Sequence, residues 1–144
     1  MEIIQSILIQ PAVKVLLSYA TSKTKVDQEY DLYIHSPARK LYGYYMNQEL
    51  VGCIGIEIDD VHCVIKHIAV SPAHRGKGIG REMIQFSSHH NSFSSIYAET
   101  DQDAVMFYKN IGFHITSLGE KYPGVERFAC LLAGATLLQL STST

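Results

Sequence analysis

One stretch of the chain decides the fold, and it reads VIKHIAVSPAHRGKGIG over residues 64–80. Its first half is an apolar run typical of a buried strand, and its second half is a glycine-rich loop that opens a helix. Glycines allow positive φ and a close backbone approach, so successive N–H groups can converge at the positive end of the helix dipole. This geometry binds phosphate, and Arg75 and Lys77 add positive charge for a polyanion.

Two better-known phosphate loops do not fit this stretch. The Walker pattern G-x-x-x-x-G-K-S/T is absent, and Arg81 stands where the dinucleotide fingerprint G-x-G-x-x-G needs its third glycine. Glu99 follows about twenty residues later, where that fingerprint expects an acid. A dinucleotide fold begins with this unit and adds several parallel strands, whereas the remaining chain has room for only two helices.

Around this stretch the apolar pattern predicts an α+β fold with a mixed sheet flanked by helices. Residues 22–40 read as a loop or short helix, and one domain covers residues 1–144 with a peripheral tail from 133 to 144. The expected helices begin at Pro11 and cover 79–90 and 104–111. The expected strands cover 2–9, 41–46, 50–58, 61–70, 93–98, 113–118 and 125–132.

Composition narrows the partners and the location. The formal net charge is -2, so no global field gathers nucleic acid or an anionic membrane, and neither partner is expected. The cysteines Cys53, Cys63 and Cys130 lack C-x-x-C spacing and predict buried free thiols without a metal site. No run reaches membrane length, and Glu2 does not suit a signal peptide, so we expect a cytoplasmic protein.

The glycine loop resembles the pyrophosphate loop of the GNAT superfamily of N-acetyltransferases. That loop has Arg or Gln, two free positions, Gly, one free position, and Gly or Ala, and RGKGIG at residues 75–80 matches every specified position. AVMFYKNIGF at residues 104–113 is similar to the family's A-x-x-x-Y-x-x-x-G-F segment. The resemblance covers residues 41–132 by sequence and the first forty by the order of elements. It implies the acyl-CoA N-acyltransferase fold with a mostly antiparallel sheet of about seven strands, acetyl-CoA as co-substrate, and no metal.

The resemblance also implies roles for individual residues. The family's fourth strand splays from its fifth, and its open backbone pairs with the pantetheine arm, while the loop amides hold the pyrophosphate. Tyr108 corresponds to the family tyrosine that can protonate the departing thiolate, although its spacing equally suits a helix's apolar face. Asp101 stands where many members have Asn, and it can accept from the pantetheine amide or cap a helix. The implied cofactor contacts are Ile68, Ala69, Val70, Arg75, Gly76, Lys77, Gly78, Ile79, Gly80, Asp101 and Tyr108.

The general base is left unassigned by the sequence. Val64 stands where some relatives carry an acid or a histidine, and strand alternation points His67 away from the acyl site unless a bulge turns it. A lone histidine among apolar neighbours is more often a core residue. Weaker candidates are His62, Glu57 and Glu99, and an acceptor amine can also lose its proton to water.

We therefore expect an acetyl-CoA-dependent N-acetyltransferase that acts on a primary amine by direct attack in a ternary complex. The alternative is a non-catalytic sensor that binds acetyl-CoA or a nucleotide. The acceptor, a small-molecule or peptide amine, is not readable, and the oligomeric state stays open, with a homodimer among the options. One further set of acids and tyrosines suggests a pocket for a cationic amine. Its members are Glu57, Asp59, Asp60, Glu120, Glu126, Tyr30, Tyr33 and Tyr122.

Overall fold

A single seven-stranded sheet organises the computed structural model, which describes residues 1–134 and 137. The order across the sheet is β1-β2-β3-β4-β5-β7-β6, and every neighbouring pair is antiparallel except β4 and β5. This confirms the expected α+β fold with a mixed, mostly antiparallel sheet. The strands are β1 (Glu2–Ile3), β2 (Arg39–Met46), β3 (Glu49–Asp59), β4 (His62–Val70), β5 (Ser95–Asp101), β6 (His114–Tyr122) and β7 (Val125–Ala133).

Helices cover both faces of this sheet. They are α1 (Pro11–Ser18), α2 (Val26–His35), α3 (Ile79–Asn91) and α4 (Val105–Ile111), with a 3-10 turn at Pro72–His74. Alternate strand residues point to opposite faces, so adjacent residues of one strand enter different cores. Cys53 packs with α1 and α2 in what we call the α1–α2 core, whereas Ile54 packs with α3 and α4 in the α3–α4 core.

The first strand is shorter than the apolar run from residue 2 to residue 9 predicts. Ile4 still donates its N–H to the carbonyl of Leu41 on β2 at 2.8 Å. The hydroxyl of Tyr30 then donates to the carbonyl of Ser6 at 2.6 Å, and the chain leaves the sheet there. Ile7 and Leu8 are 76% and 81% exposed, so this run is apolar without being a buried strand.

Helix α2 replaces the loop or short helix expected over residues 22–40. Its buried residues Val26, Tyr30 and Tyr33 are spaced i, i+4, i+7, which is the spacing of one helix face. The signal was present in the sequence, but polar residues between these positions obscured it. The helix brings the tyrosines under the sheet instead of leaving them in a surface loop.

The expected tail begins too early. Ala133 is the last residue of β7 and pairs with Ser95, and Leu137 is 4% exposed in the α3–α4 core. The rest of that predicted tail, residues 135, 136 and 138–144, lies outside the described residues. Among the residues described, no helix combines the length and apolar character needed to cross a membrane.

Candidate active site between two diverging strands

The two parallel strands at the centre of the sheet separate after three residue pairs. β4 and β5 pair from His62 with Ser95 to Val64 with Tyr97, and no further pair joins them within the described residues. Beyond that point β4 pairs with β3 and β5 pairs with β7. We call the opening between residues 65–70 and 98–101 the β4–β5 gap. A strand edge without a neighbour offers N–H and C=O groups to an extended ligand.

The glycine loop lies at the end of β4 where the gap is open. Gly76 and Gly78 have φ angles of 77° and 82°, and a Cβ at either position would meet nothing within 4 Å. Gly78 is the N-cap of α3 and no side chain caps this helix, so the first-turn N–H groups have no partner inside the helix. The loop therefore leaves open space beside the unpaired N–H groups of the helix, an arrangement that favours a phosphate group.

The other loop residues hold the loop in place or lie at its surface. Arg75 donates from Nε to the carbonyl of Val70 at 2.9 Å, and its guanidinium carbon lies 5.2 Å from the ring centroid of Tyr19. Lys77 is exposed, and Ile79 is buried in the α3–α4 core. Gly80 lies against α4, since a Cβ there would be 2.7 Å from the ring of Phe107.

The residues of the predicted pantetheine strand and Asp101 have different surroundings. Ile68 and Val70 pack toward the α3–α4 core, whereas Ala69 belongs to the α1–α2 core. All three lie on the β4 side of the gap. The Oδ1 atom of Asp101 accepts from the backbone N–H groups of Asp103 and Ala104 at 3.0 and 3.2 Å. Asp101 therefore holds the turn before α4, whose N-cap residue is Ala104, and this role accounts for its carboxylate without a ligand.

Tyr108 lies in the α3–α4 core and is 4% exposed. Its ring makes edge contacts with Phe107 and Phe113 at centroid distances of 5.0 and 5.2 Å. Burial raises the pKa of Tyr108 above its ordinary value, so the phenol keeps its proton at neutral pH and can offer its O–H as a hydrogen-bond donor, although the shift makes it a weaker acid than a free tyrosine. The packing also agrees with the structural role of this residue, so burial alone does not decide between the two.

A β-bulge in β4 changes where His67 points. β3 pairs Gly55 with His67 and then Ile56 with Ile65, which leaves Lys66 as the extra residue. His67 consequently faces α2, and the hydroxyl of Tyr33 lies 2.5 Å from its Nδ1 atom. Neither Tyr33 nor Gly55 was singled out for this contact from the sequence. The spacing of the α2 tyrosines and a glycine inside a strand were the available signals.

The remaining base candidates have other partners. His62 contacts Ser95 through Nδ1 and Oγ at 2.6 Å, at the closed end of the gap. Glu57 accepts from Arg39 Nε at 2.9 Å, and Glu99 accepts from the hydroxyl of Tyr97 at 3.0 Å.

The acids expected to form one cationic pocket lie at opposite ends of the sheet. Asp59 and Asp60 connect β3 to β4 beside Ser95, whereas Glu120 and Glu126 pair near the Asp101 end of β5. The seven residues of β5 separate these ends by about 20 Å. The hydroxyls of Tyr30 and Tyr33 are buried and already bonded, so the predicted pocket does not form.

A family model described as acetyltransferase (GNAT) domain matches residues 37–115. The match spans more than half of the 144 residues, and the chain belongs to the GNAT acetyltransferase family. This confirms the resemblance drawn from the glycine loop and the α4 segment. The matched region contains β2 to α4, which includes the glycine loop, the β4–β5 gap and Tyr108.

Two curated relatives and one solved structure show similar sequences or the same fold. The chain is 32% identical over 84 residues to the UPF0157 protein YqkA of Bacillus subtilis, which covers 56% of this chain and 24% of that protein. It is 31% identical over 62 residues to an uncharacterized N-acetyltransferase of Bacillus methanolicus, covering 42% of this chain and 52% of that protein. The chain thus spans about a quarter and about half of these relatives. A GNAT family acetyltransferase from Elizabethkingia anophelis with acetyl-CoA bound superposes with a TM-score of 0.71 at 20% identity, covering 92% and 96% of the two chains.

Metal chemistry has no candidate site in the part of the chain that the structure describes. No group of three or more His, Cys, Asp or Glu residues there is arranged to hold a metal ion. The cysteines Cys53, Cys63 and Cys130 are free and buried, and burial raises the pKa of the first two to about 12. These thiols are protonated at neutral pH and are poor ligands and nucleophiles.

Proposed function

We propose that the protein transfers the acetyl group of acetyl-CoA to a primary amine by direct attack in a ternary complex. The observation that carries this proposal is the β4–β5 gap, which opens toward the uncapped N-terminus of α3. A strand edge and a helix N-terminus in line suit a ligand with an amide-containing arm and a pyrophosphate. Coenzyme A has this construction, with the arm ending in the reactive thioester.

The loop supplies the anchor for the pyrophosphate. Backbone N–H groups of residues 75–80 bind the phosphate oxygens, because Gly76 and Gly78 leave open space where other residues would place a side chain. Arg75 is held by Val70 and Tyr19, so it adds positive potential near the loop while its Nε remains bonded. Lys77 is exposed and free to follow a phosphate.

The reaction needs a steadied oxyanion and a protonated leaving group. The amine nitrogen forms a bond to the thioester carbon, and the C–S bond breaks. Backbone N–H groups on the open edge of β4 stabilise the negative oxygen of the tetrahedral intermediate. Tyr108 donates its phenolic proton to the departing thiolate and recovers one from solvent. A donor of this kind assists the step by about 10²–10⁴-fold at most.

The proposed function is tested by measuring thiol release from acetyl-CoA. Wild-type protein is incubated with a small polyamine, a blocked lysine, an amino sugar and glutamate as separate acceptors. Thiol release that depends on one of the amines, with the acetylated product detected by mass, supports the proposal. Stabilisation by acetyl-CoA without thiol release for any acceptor supports the alternative, a sensor that binds without turnover.

The setting proposed for this reaction follows from the same residues. Three unpaired thiols suit a reducing compartment such as the cytoplasm. The net charge of -2 provides no general attraction for nucleic acid. The acceptor is accordingly a small-molecule or peptide amine, selected by local contacts at the gap.

A further inference from the structure

The bulge at Lys66 brings His67 to the α1–α2 side of the β4–β5 gap. His67 is three residues beyond Val64, where pairing with β5 stops, so its backbone belongs to the open part of β4. A bulge adds one residue to a strand and re-aims the side chains that follow it. His67 therefore combines a place on the gap with a side chain directed to the face opposite Tyr108.

Three elements build the surroundings of this histidine. Tyr33 of α2 places its hydroxyl 2.5 Å from Nδ1 of His67, and the two rings meet edge-on at 5.6 Å between centroids. Gly55 of β3 lies opposite His67, and a Cβ there would be 2.0 Å from the Tyr33 hydroxyl. The contact thus depends on a glycine in the middle of a strand. With Nδ1 occupied, Nε2 is the nitrogen left for a ligand, and 7% of the His67 surface is exposed.

The charged groups around the pair largely compensate one another. Arg39 of β2 bonds Glu29 of α2 at 3.2 Å and Glu57 of β3 at 2.9 Å, and its guanidinium carbon lies 5.6 Å from the ring centroid of Tyr33. Burial lowers the pKa of His67, the charge of Glu29 opposes that shift, and Arg39 and the Lys66 of its own strand add to it.

The same surroundings keep the tyrosine protonated. Burial raises the pKa of Tyr33, the charge of Arg39 opposes that shift, and smaller contributions in the same direction as burial come from Cys53, Glu29 and Glu57. The imidazole is therefore neutral and the phenol protonated at neutral pH.

We propose that His67 is the general base of the acetyl transfer, that Tyr33 is its positioning residue, and that the amine enters from the α1–α2 side of the gap. This inference rests on the proposed function, since it needs an amine and a thioester in the gap. Tyr108 belongs to the α3–α4 core, on the other face of the sheet. Base and acid thus act on opposite faces of the sheet, and the proton taken from the amine is kept apart from the one given to the thiolate.

The proton balance of the step is complete with these two residues. As the C–N bond forms, the amine nitrogen becomes acidic and gives one proton to Nε2 of His67. The tautomer that can accept it carries its proton on Nδ1 and donates to the oxygen of Tyr33, which also orients the ring. The thiolate takes the phenolic proton of Tyr108. His67 then loses a proton to solvent, for which Tyr33 offers a route, because it lines an open cleft of about 300 Å³.

The test compares His67→Gln and Tyr33→Phe with wild type, using acetyl-CoA and the best amine of the panel. His67→Gln is expected to lower kcat by about 10²–10³-fold, as loss of a general base does. Tyr33→Phe keeps the ring and is expected to lower kcat by about 10-fold through misorientation of the imidazole. Stabilisation by acetyl-CoA is expected to stay at the wild-type level in both. His114→Gln, an exposed histidine on β6, is the matched control and should retain wild-type kcat.

The pH profile separates a base from a structural histidine. In wild type, kcat is expected to decrease at low pH as His67 becomes protonated. Because burial lowers the pKa of His67, this decrease should occur below pH 6.5, its ordinary pKa. That acid limb should move in Tyr33→Phe and vanish in His67→Gln. An unchanged acid limb in Tyr33→Phe overturns the pairing even if His67→Gln fails to fold.

The outcomes separate a failure of the proposed role of His67 from a failure of the proposed acetyl transfer. Absence of thiol release by wild type with every amine contradicts the proposed function. Thiol release by wild type that a folded His67→Gln retains within about twofold contradicts the role of His67 alone.

Discussion

The two faces of β4 carry the two halves of the proposed site, and they differ in how their residues come together. On the α3–α4 side, the end of β4, the glycine loop and the start of α3 form one continuous segment, residues 64–80. On the α1–α2 side, Tyr33 and His67 are 34 residues apart and meet only because α2 packs under the bulge. The loop side depends on local backbone conformation, whereas the other side depends on packing. One half of such a site can therefore be predicted from a sequence motif, whereas the other half depends on the register of a strand pair.

The largest effect is expected from charge at the phosphate loop. Gly78→Glu places a carboxylate where we propose that the pyrophosphate binds, and it forces a side chain onto a φ of 82°, so stabilisation by acetyl-CoA should be lost in thermal unfolding. Gly119→Glu is the matched control, because Gly119 has the same φ and equally open surroundings on β6. Equal losses in both variants would show that backbone strain, and not the loop, is responsible.

A smaller effect is expected from the leaving-group side. Tyr108→Phe keeps the packing against Phe107 and Phe113 and removes the proton donor, so kcat should fall by about 10- to 10³-fold. The affinity for acetyl-CoA should change little. Tyr45→Phe on β2, a half-exposed tyrosine, provides the control. Unchanged kcat in Tyr108→Phe, on an acceptor whose chemistry limits the rate, would assign Tyr108 to the core.

The two faces of β3 give a direct comparison by glycine substitution. Gly55→Ala puts a Cβ 2.0 Å from the Tyr33 hydroxyl, whereas Gly52→Ala meets the flexible side chain of Met83 at 3.2 Å. Gly55→Ala should therefore cost about 1–3 kcal/mol of unfolding free energy. It should also lower kcat by about as much as Tyr33→Phe does, and Gly52→Ala should do neither. Denaturant unfolding measures the loss of stability, and steady-state kinetics measures the loss of kcat. Equal losses in Gly55→Ala and Gly52→Ala would contradict a difference between the two faces.

The buried histidine also makes stability depend on pH. The pKa of His67 is lowered in the folded protein, so the unfolded chain binds one more proton between that value and 6.5. Stability is then lost as pH falls below 6.5, by up to about 1.4 kcal/mol per pH unit. His67→Gln should lose less stability than wild type between neutral pH and pH 5. Parallel stability curves for the two proteins would contradict a neutral, buried imidazole.

The smallest effect concerns salt. A single acidic pocket would make the KM of a cationic amine rise strongly with ionic strength. Because the acids lie at opposite ends of β5, and Glu57 is paired with Arg39, we expect KM to change by less than about twofold between about 50 and 250 mM salt. A steep rise in the KM of the polyamine with salt would instead indicate a local acidic pocket for the cationic amine on the α1–α2 side.

Much of the fold could be predicted from the apolar pattern, and the errors have identifiable causes. The strands from β2 to β5 and helices α3 and α4 follow strong periodic signals bounded by glycine or proline. The first strand was predicted too long because Ile7 and Leu8 are apolar but exposed. Helix α2 was not distinguished from a loop because its buried face has only three strong positions.

The sequence by itself determined the strand, loop and helix of the proposed phosphate site and the family to which the chain belongs. These features depend on residues close together in the chain, where glycines and a helix start dictate the backbone. Tertiary structure alone decided that the bulge at Lys66 turns His67 toward Tyr33, and that Gly55 makes room for the contact. Tertiary structure also placed the acids of the predicted pocket at opposite ends of β5. Strand register and helix packing are long-range properties, because one extra residue in a strand reverses every side chain that follows it.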